Sequence, residues 1–101
     1  MTPHAEIAKQ LMVAIIEAGR LKEDAVRAFS ADIGKAFRDL HETVGKVSGS
    51  REPGMQEAAK DLVIGMIRAK HVGARDEPAV AASEVSDAYQ VVLDTMTQKS
   101  A

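Results

Sequence analysis

An all-α protein made of two similar helical hairpins in a four-helix arrangement is predicted by three observations. Seventeen residues are alanine, the best helix former, while only Phe29, Phe37 and Tyr89 are aromatic. Apolar residues recur at helical spacing in four separate stretches. A cluster of Ser, Gly and Pro from Ser48 to Gly54 divides the chain at its midpoint. The 101 residues amount to about one domain. A chain of this length buries roughly two thirds of its unfolded surface, so the fold needs neither metal nor disulfide. At 46% hydrophobic and 28% charged residues, the composition excludes a disordered or collagen-like chain.

The first helix is expected over about 3–18. Thr2 serves as N-cap, Pro3 takes the first helical position, and Ile7, Ala8, Leu11, Met12, Ile15 and Ile16 form one face before Gly19 stops it. The second is expected over about 24–47, capped by Asp24, with its apolar face on Val26, Phe29, Ile33, Ala36, Phe37, Leu40, Val44 and Val47. After the loop at 48–54, the third runs over about 55–70 on Met55, Ala58, Ala59, Leu62, Val63, Met66 and Ile67, stopping near Val72 and Gly73. Acids and a proline at Asp76, Glu77 and Pro78 open the fourth, over about 78–97, with Val80, Ala81, Val85, Ala88, Tyr89, Val92 and Met96 facing inward. The domain is thus hairpin 3–47, loop, and hairpin 55–97.

The two hairpins align. Glu6 to Leu11 matches Glu57 to Leu62, and Ile16 to Ala18 matches Ile67 to Ala69, at an offset of 51. One inserted residue later, Ala36 and Phe37 meet Ala88 and Tyr89, Leu40 meets Val92, and Glu42 to Val44 meets Asp94 to Met96. Two Ala-rich amphipathic helices share some periodicity by coincidence. The matches of aromatic with aromatic and acid with acid favour duplication, and two hairpins packed face to face would close each other's apolar side.

Residues that could carry chemistry are few. His4, His41 and His71 have no His or Cys three or four residues away, and neither HExxH nor the Glu-x-x-His of di-iron bundles occurs. Gly45 to Ser48 lacks the spacing and preceding strand of a phosphate loop. Ser48 and Ser50 stand in a Gly-containing loop without the G-x-S-x-G turn. Paired acids at Glu23 and Asp24, and at Asp76 and Glu77, fall at helix starts, where capping and the helix dipole favour them. No catalytic residue, metal ligand or cofactor is expected, and the protein reads as a non-enzyme.

Charge is uneven. Residues 76–101 hold five acids and one base, and the single basic cluster is Arg68, Lys70, His71 and Arg75. These four are candidates for phosphate contact. A solvated helix end with its cations at the negative pole of the dipole also explains them. An isoelectric point near 5.9 is far below the values above about 9 of nucleic-acid-binding domains.

Val26, Ile33, Leu40 and Val47 recur every seven residues, a seam of coiled-coil type. At 1.5 Å per residue the second helix is about 36 Å long against about 24 Å for the first. Leu40, Val44 and Val47 therefore extend beyond the first hairpin and need cover. The expected oligomer interface combines Ile33, Phe37, Leu40 and Val44 with Val85, Tyr89 and Val92, rimmed by Arg38, Asp39 and Glu42. A two-fold homodimer is the commonest closed solution.

The stretch Leu11 to Ile16, continued through Val26, Phe29, Asp32, Ile33, Ala36 and Phe37, resembles the N-terminal helical region of the Ros/MucR family of bacterial regulators. In that family two helices precede a zinc finger and are associated with self-association. The resemblance covers about 30 residues of each hairpin and is one of spacing. With no cysteine in the sequence the zinc finger is missing, so the resemblance implies an oligomerising helical module and transfers no functional residue.

The longest apolar run, Leu11 to Ile16, is far short of the roughly 20 residues of a bilayer span, and no signal peptide is evident. The absence of cysteine points to a reducing compartment, expected to be the cytoplasm. Secreted helical-hairpin proteins carry a Trp-x-Gly turn that this sequence lacks. The expected function is that of a self-associating interaction or adaptor protein with an unidentified protein partner. The alternative is a transcription-regulator-like or DNA-binding accessory protein.

Overall fold

The computed structural model describes residues 3–22, 25–49 and 51–98. Four helices account for its secondary structure: α1 (Pro3–Glu17), α2 (Val26–Ser48), α3 (Pro53–Arg68) and α4 (Pro78–Met96). No strand occurs among the described residues. The expected caps Thr2 and Asp24 lie outside them. Pro53 and Pro78 sit in the first turns of α3 and α4, where a missing N–H costs nothing. The first of these corrects the expected boundary, because Pro53 begins the helix instead of ending the loop.

Each helix lies along two neighbours. α1 packs on α2 and α3, α4 packs on α2 and α3, and the α2–α4 seam is the most extensive. Ser48 meets Tyr89 and Arg51 meets Asp94, so α2 and α4 run in the same direction. Gln10 meets Lys60, while Ile15 and Ile67 both border Gly73, so α1 and α3 are parallel as well. The resulting bundle is a slab of 50 × 28 × 16 Å.

The core is one cluster. It takes Ile7, Leu11, Met12 and Ile15 from α1, Leu40 and Val44 from α2, Val63 and Ile67 from α3, and Val85, Tyr89 and Leu93 from α4. Most of the expected faces are present, but each is rotated slightly. In α1, Ile16 faces solvent. In α2 the sealed row is Ala36, Leu40, Val44 and Ser48, while Val26 is 82% exposed and Ile33 is only half-buried. In α3, Gln56 and Lys60 turn inward and Met55 and Leu62 turn out. In α4, Leu93 is sealed and Val80 is not.

These rotations alter the alignment of the two halves. At the offset of 51, buried Leu11 is paired with Leu62, which is 55% exposed, and exposed Ile16 with buried Ile67. Burial along α1 and α3 instead coincides one residue later, matching Ile7 with Ala59, Leu11 with Val63 and Ile15 with Ile67. Along the second helices, Tyr89 is fully sealed while Phe37 is half-buried and stacked on His41.

Two turns have specific backbone requirements. α3 closes with the paired bonds of a Schellman motif: the His71 N–H donates to the Met66 carbonyl and the Lys70 N–H to the Ile67 carbonyl, each at 2.9 Å. The left-handed residue that this motif needs is usually glycine, and here it is Lys70, at φ 63°. Gly73 also has a positive φ, and a methyl group there would stand 3.0 Å from Val85 Cγ2. It is the point where the loop presses between α1, α3 and α4.

Candidate functional site

The residues expected to join two copies are largely consumed within one. Leu40, Val44, Val85 and Tyr89 are fully buried in the single chain, because α4 runs alongside α2 and covers its C-terminal half. Ile33, Phe37 and Val92 are half-buried at the edges of that seam. The length of α2 beyond α1 was expected to outrun the cover that α4 can give, but α4 lies parallel beside it and seals Leu40 and Val44, so the uncovered end that argued for a dimer does not exist. Of the expected rim, Glu42 pairs with Lys46, and Arg38 approaches Asp39 at 3.9 Å.

The basic cluster divides in two. Arg68, Lys70 and His71 are exposed around the end of α3. Arg75 is committed: its Nε donates to Glu84 Oε2 at 2.5 Å, and the other oxygen of Glu84 accepts the Gly73 N–H at 3.0 Å. The guanidinium first, and the backbone N–H second, hold the Glu84 carboxyl below its ordinary value. Arg75 thus fastens the α3–α4 connection to α4, a structural role.

Sequence reasoning missed a polar network between α1 and α3. The Lys60 side chain is only 4% exposed. Its Nζ donates to Gln10 Oε1 across the helix interface and pairs with Glu57 and Asp61 of its own helix. Gln10 in turn donates to Glu6 Oε1, which also pairs with Lys9. Burial opposes the charge on Lys60, but the two carboxylates outweigh it and raise the ammonium above its ordinary value. This chemistry favours a protonated lysine, the reverse of what a nucleophile or general base requires. The signal for it lay in the acids three residues before and one residue after Lys60. A reading by hydropathy alone sets such a lysine on the outer face.

A cleft of about 390 Å³ opens between the α1–α2 connection and the start of α4, with Phe29, Lys22 and Lys35 facing Asp32, Asp76 and Glu77. The Lys22 N–H donates to the Asp76 carbonyl across one side of it. No group of three or more His, Cys, Asp or Glu residues suited to a metal ion occurs among the described residues. No helix among the described residues is long and apolar enough to cross a membrane.

The outward faces carry several large apolar side chains: Val13 and Ile16 on α1, Met55 and Leu62 on α3, and Val80 and Val91 on α4. On α3 the two stand seven residues apart, two turns along the same side of the helix, with exposed Gly65 beside them. No family model, curated protein or solved structure matches the chain.

Proposed function

We propose that this chain is a non-catalytic helical interaction protein of the bacterial cytoplasm that self-associates through its helix faces. The observation that carries this reading is the pair of exposed apolar side chains, Met55 and Leu62, on one outer side of α3, displayed by a bundle whose core is already closed. Single exposed apolar residues are ordinary on any surface, whereas two on one side of a helix, with the small residues Ala58 and Gly65 next to them, form an uncharged strip fit for contact. The spacing shared with the self-associating helices of the Ros/MucR regulators agrees with the reading. Sedimentation across a hundredfold dilution tests it. A mass that rises with concentration supports self-association, and a constant 10.8 kDa removes it.

A nucleic-acid accessory role is the second reading, favoured by the exposure of Arg68, Lys70 and His71 together at the end of α3. Phosphate contacts release counterions and weaken steeply with salt. Retention on heparin that falls with salt in the parent chain, and is lost in an Arg68→Ala, Lys70→Ala variant, would support this role.

A further inference from the structure

We infer that the outer face of α3 pairs with the same face of a second copy of this chain, with the two helices antiparallel about a two-fold axis; this rests on the self-association proposed above. The face centres on Met55, Ala58, Leu62, Gly65 and Ala69, spaced three and four residues apart and free of charge, with half-buried Met66 at its inner edge. Leu62 is 55% exposed, and no atom lies within 4 Å of where a side chain on Gly65 would begin. Met55 shares a cleft with Met96, which carries the apolar surface onto α4.

Charge selects the occupant. Along one flank of the row stand Glu57 and Asp61 toward the N-terminal half of α3, with Arg68 toward its C-terminal end. Glu57 and Asp61 reach inward to Lys60 yet remain 60% and 64% exposed, and Arg68 has no ion-pair partner among the described residues. A flank that is acidic at one end and basic at the other is complementary to itself only when the second helix is reversed. In the register that sets Leu62 of one copy against Gly65 of the other, Ala58 falls opposite Ala69, and Arg68 falls between the Glu57 and Asp61 of its neighbour. The large side chain then meets the bare backbone, small meets small, and the free cation meets two carboxylates, all twice over through one axis. Such an isologous patch is what a two-fold dimer requires. Antiparallel helices also oppose their dipoles favourably.

The sequence contains no cysteine, so introduced thiols report the register directly. Three measurements test the pairing: sedimentation of the full chain over a hundredfold dilution, the same for Leu62→Glu, and disulfide formation with glutathione disulfide as oxidant. The expected results are a dimer that dissociates on dilution and a Leu62→Glu monomer with unchanged helix content. Mixed Ala58→Cys and Ala69→Cys chains should cross-link at least tenfold faster than either variant alone. A parent chain of 10.8 kDa at every concentration overturns self-association and this interface together. A parent dimer that persists in Leu62→Glu, with no preference for the mixed cross-link, overturns this surface alone and leaves self-association through another face.

Discussion

The hydroxyls of Ser48 and Tyr89 stand 2.8 Å apart with neither side chain reached by solvent. Ser48 closes the last turn of α2 and Tyr89 lies within α4, so the bond crosses the largest helix seam in the fold. A buried hydroxyl that loses its partner keeps the cost of its dehydration, on the order of 1–3 kcal/mol. Ser48→Ala and Tyr89→Phe should each destabilise by about that amount. The double variant should lose clearly less than the sum, because it leaves no orphan. Urea unfolding of the four proteins measures the coupling.

The same seam separates two leucine- and valine-bearing positions that the heptad spacing treats alike. Leu40 is fully buried, and its truncation to alanine should cost about 2–5 kcal/mol through lost contacts and a residual cavity. Val26, at 82% exposure, should tolerate alanine within about 0.5 kcal/mol. Thermal unfolding of both variants checks the contrast. A large loss at Val26 would restore the longer seam expected from sequence.

The helices were readable from sequence because alanine content and apolar spacing agree with the helix-opening prolines Pro3 and Pro78, while Pro53, in a Ser- and Gly-rich stretch, reads as loop. The rotation of each face was not. Leu62 and Val63 are both apolar neighbours, and which one is sealed depends on how α3 lies against α1 and α4, a property of packing that no local pattern contains. Lys60 illustrates the limit from the polar side. Its inward turn draws on Gln10, which lies 50 residues away in sequence and supplies an acceptor there, besides the neighbouring Glu57 and Asp61. Leu40 and Val44 show the same dependence on packing. Whether Leu40 and Val44 need a second chain depends on the parallel placement of α4, and the length of α2 carries no information about that.

Lys60 gives a prediction in which charge and volume are separated. Removing its counter-charges through Glu57→Gln and Asp61→Asn together leaves a buried ammonium without a carboxylate, and stability should fall by on the order of 1–3 kcal/mol. Lys60→Met keeps the stem and discards the charge, and should stay within about 1 kcal/mol of the parent chain. Chemical unfolding at neutral pH ranks the three proteins. A worse outcome for Lys60→Met than for the double neutralisation would reverse the assigned roles.

Stability should be flat across the neutral range and fall at both ends. Glu84 is held below its ordinary 4.5 by Arg75 and then by the Gly73 N–H, and Glu6 by Gln10 and then Lys9. Carboxyl groups lowered in the folded state contribute stability that is present above about pH 4.5 and lost as pH falls through their folded values. Lys60 and Tyr89 are raised above their ordinary 10.5 and 10.0, the phenol mainly by burial. Groups raised in the folded state contribute stability that is present below about pH 10 and lost as pH climbs through their folded values. Melting temperature measured from pH 2 to 11 should show both slopes. Glu84→Gln should flatten the acid slope while leaving the alkaline one intact.

The α3–α4 connection contains two left-handed residues whose replacement should act in opposite directions. Lys70 holds the Schellman position at φ 63°, where a side chain crowds the backbone at a cost of about 1–2 kcal/mol. Glycine relieves that crowding but adds freedom to the unfolded chain, which offsets about 0.4–1 kcal/mol of the gain. Lys70→Gly should therefore stabilise by up to about 1 kcal/mol. Gly73, at φ +72°, has no such latitude. An added methyl would press on Val85 at 3.0 Å, near Ile15 at 3.6 Å and Ile67 at 3.8 Å, and all three are sealed in the core. Backbone strain and overpacking then act together, and Gly73→Ala should destabilise by about 2–4 kcal/mol. Differential scanning calorimetry of both variants reads the two signs in one experiment. If Lys70→Gly lowered the melting temperature, the Lys70 side chain would be contributing a contact that outweighs its backbone strain.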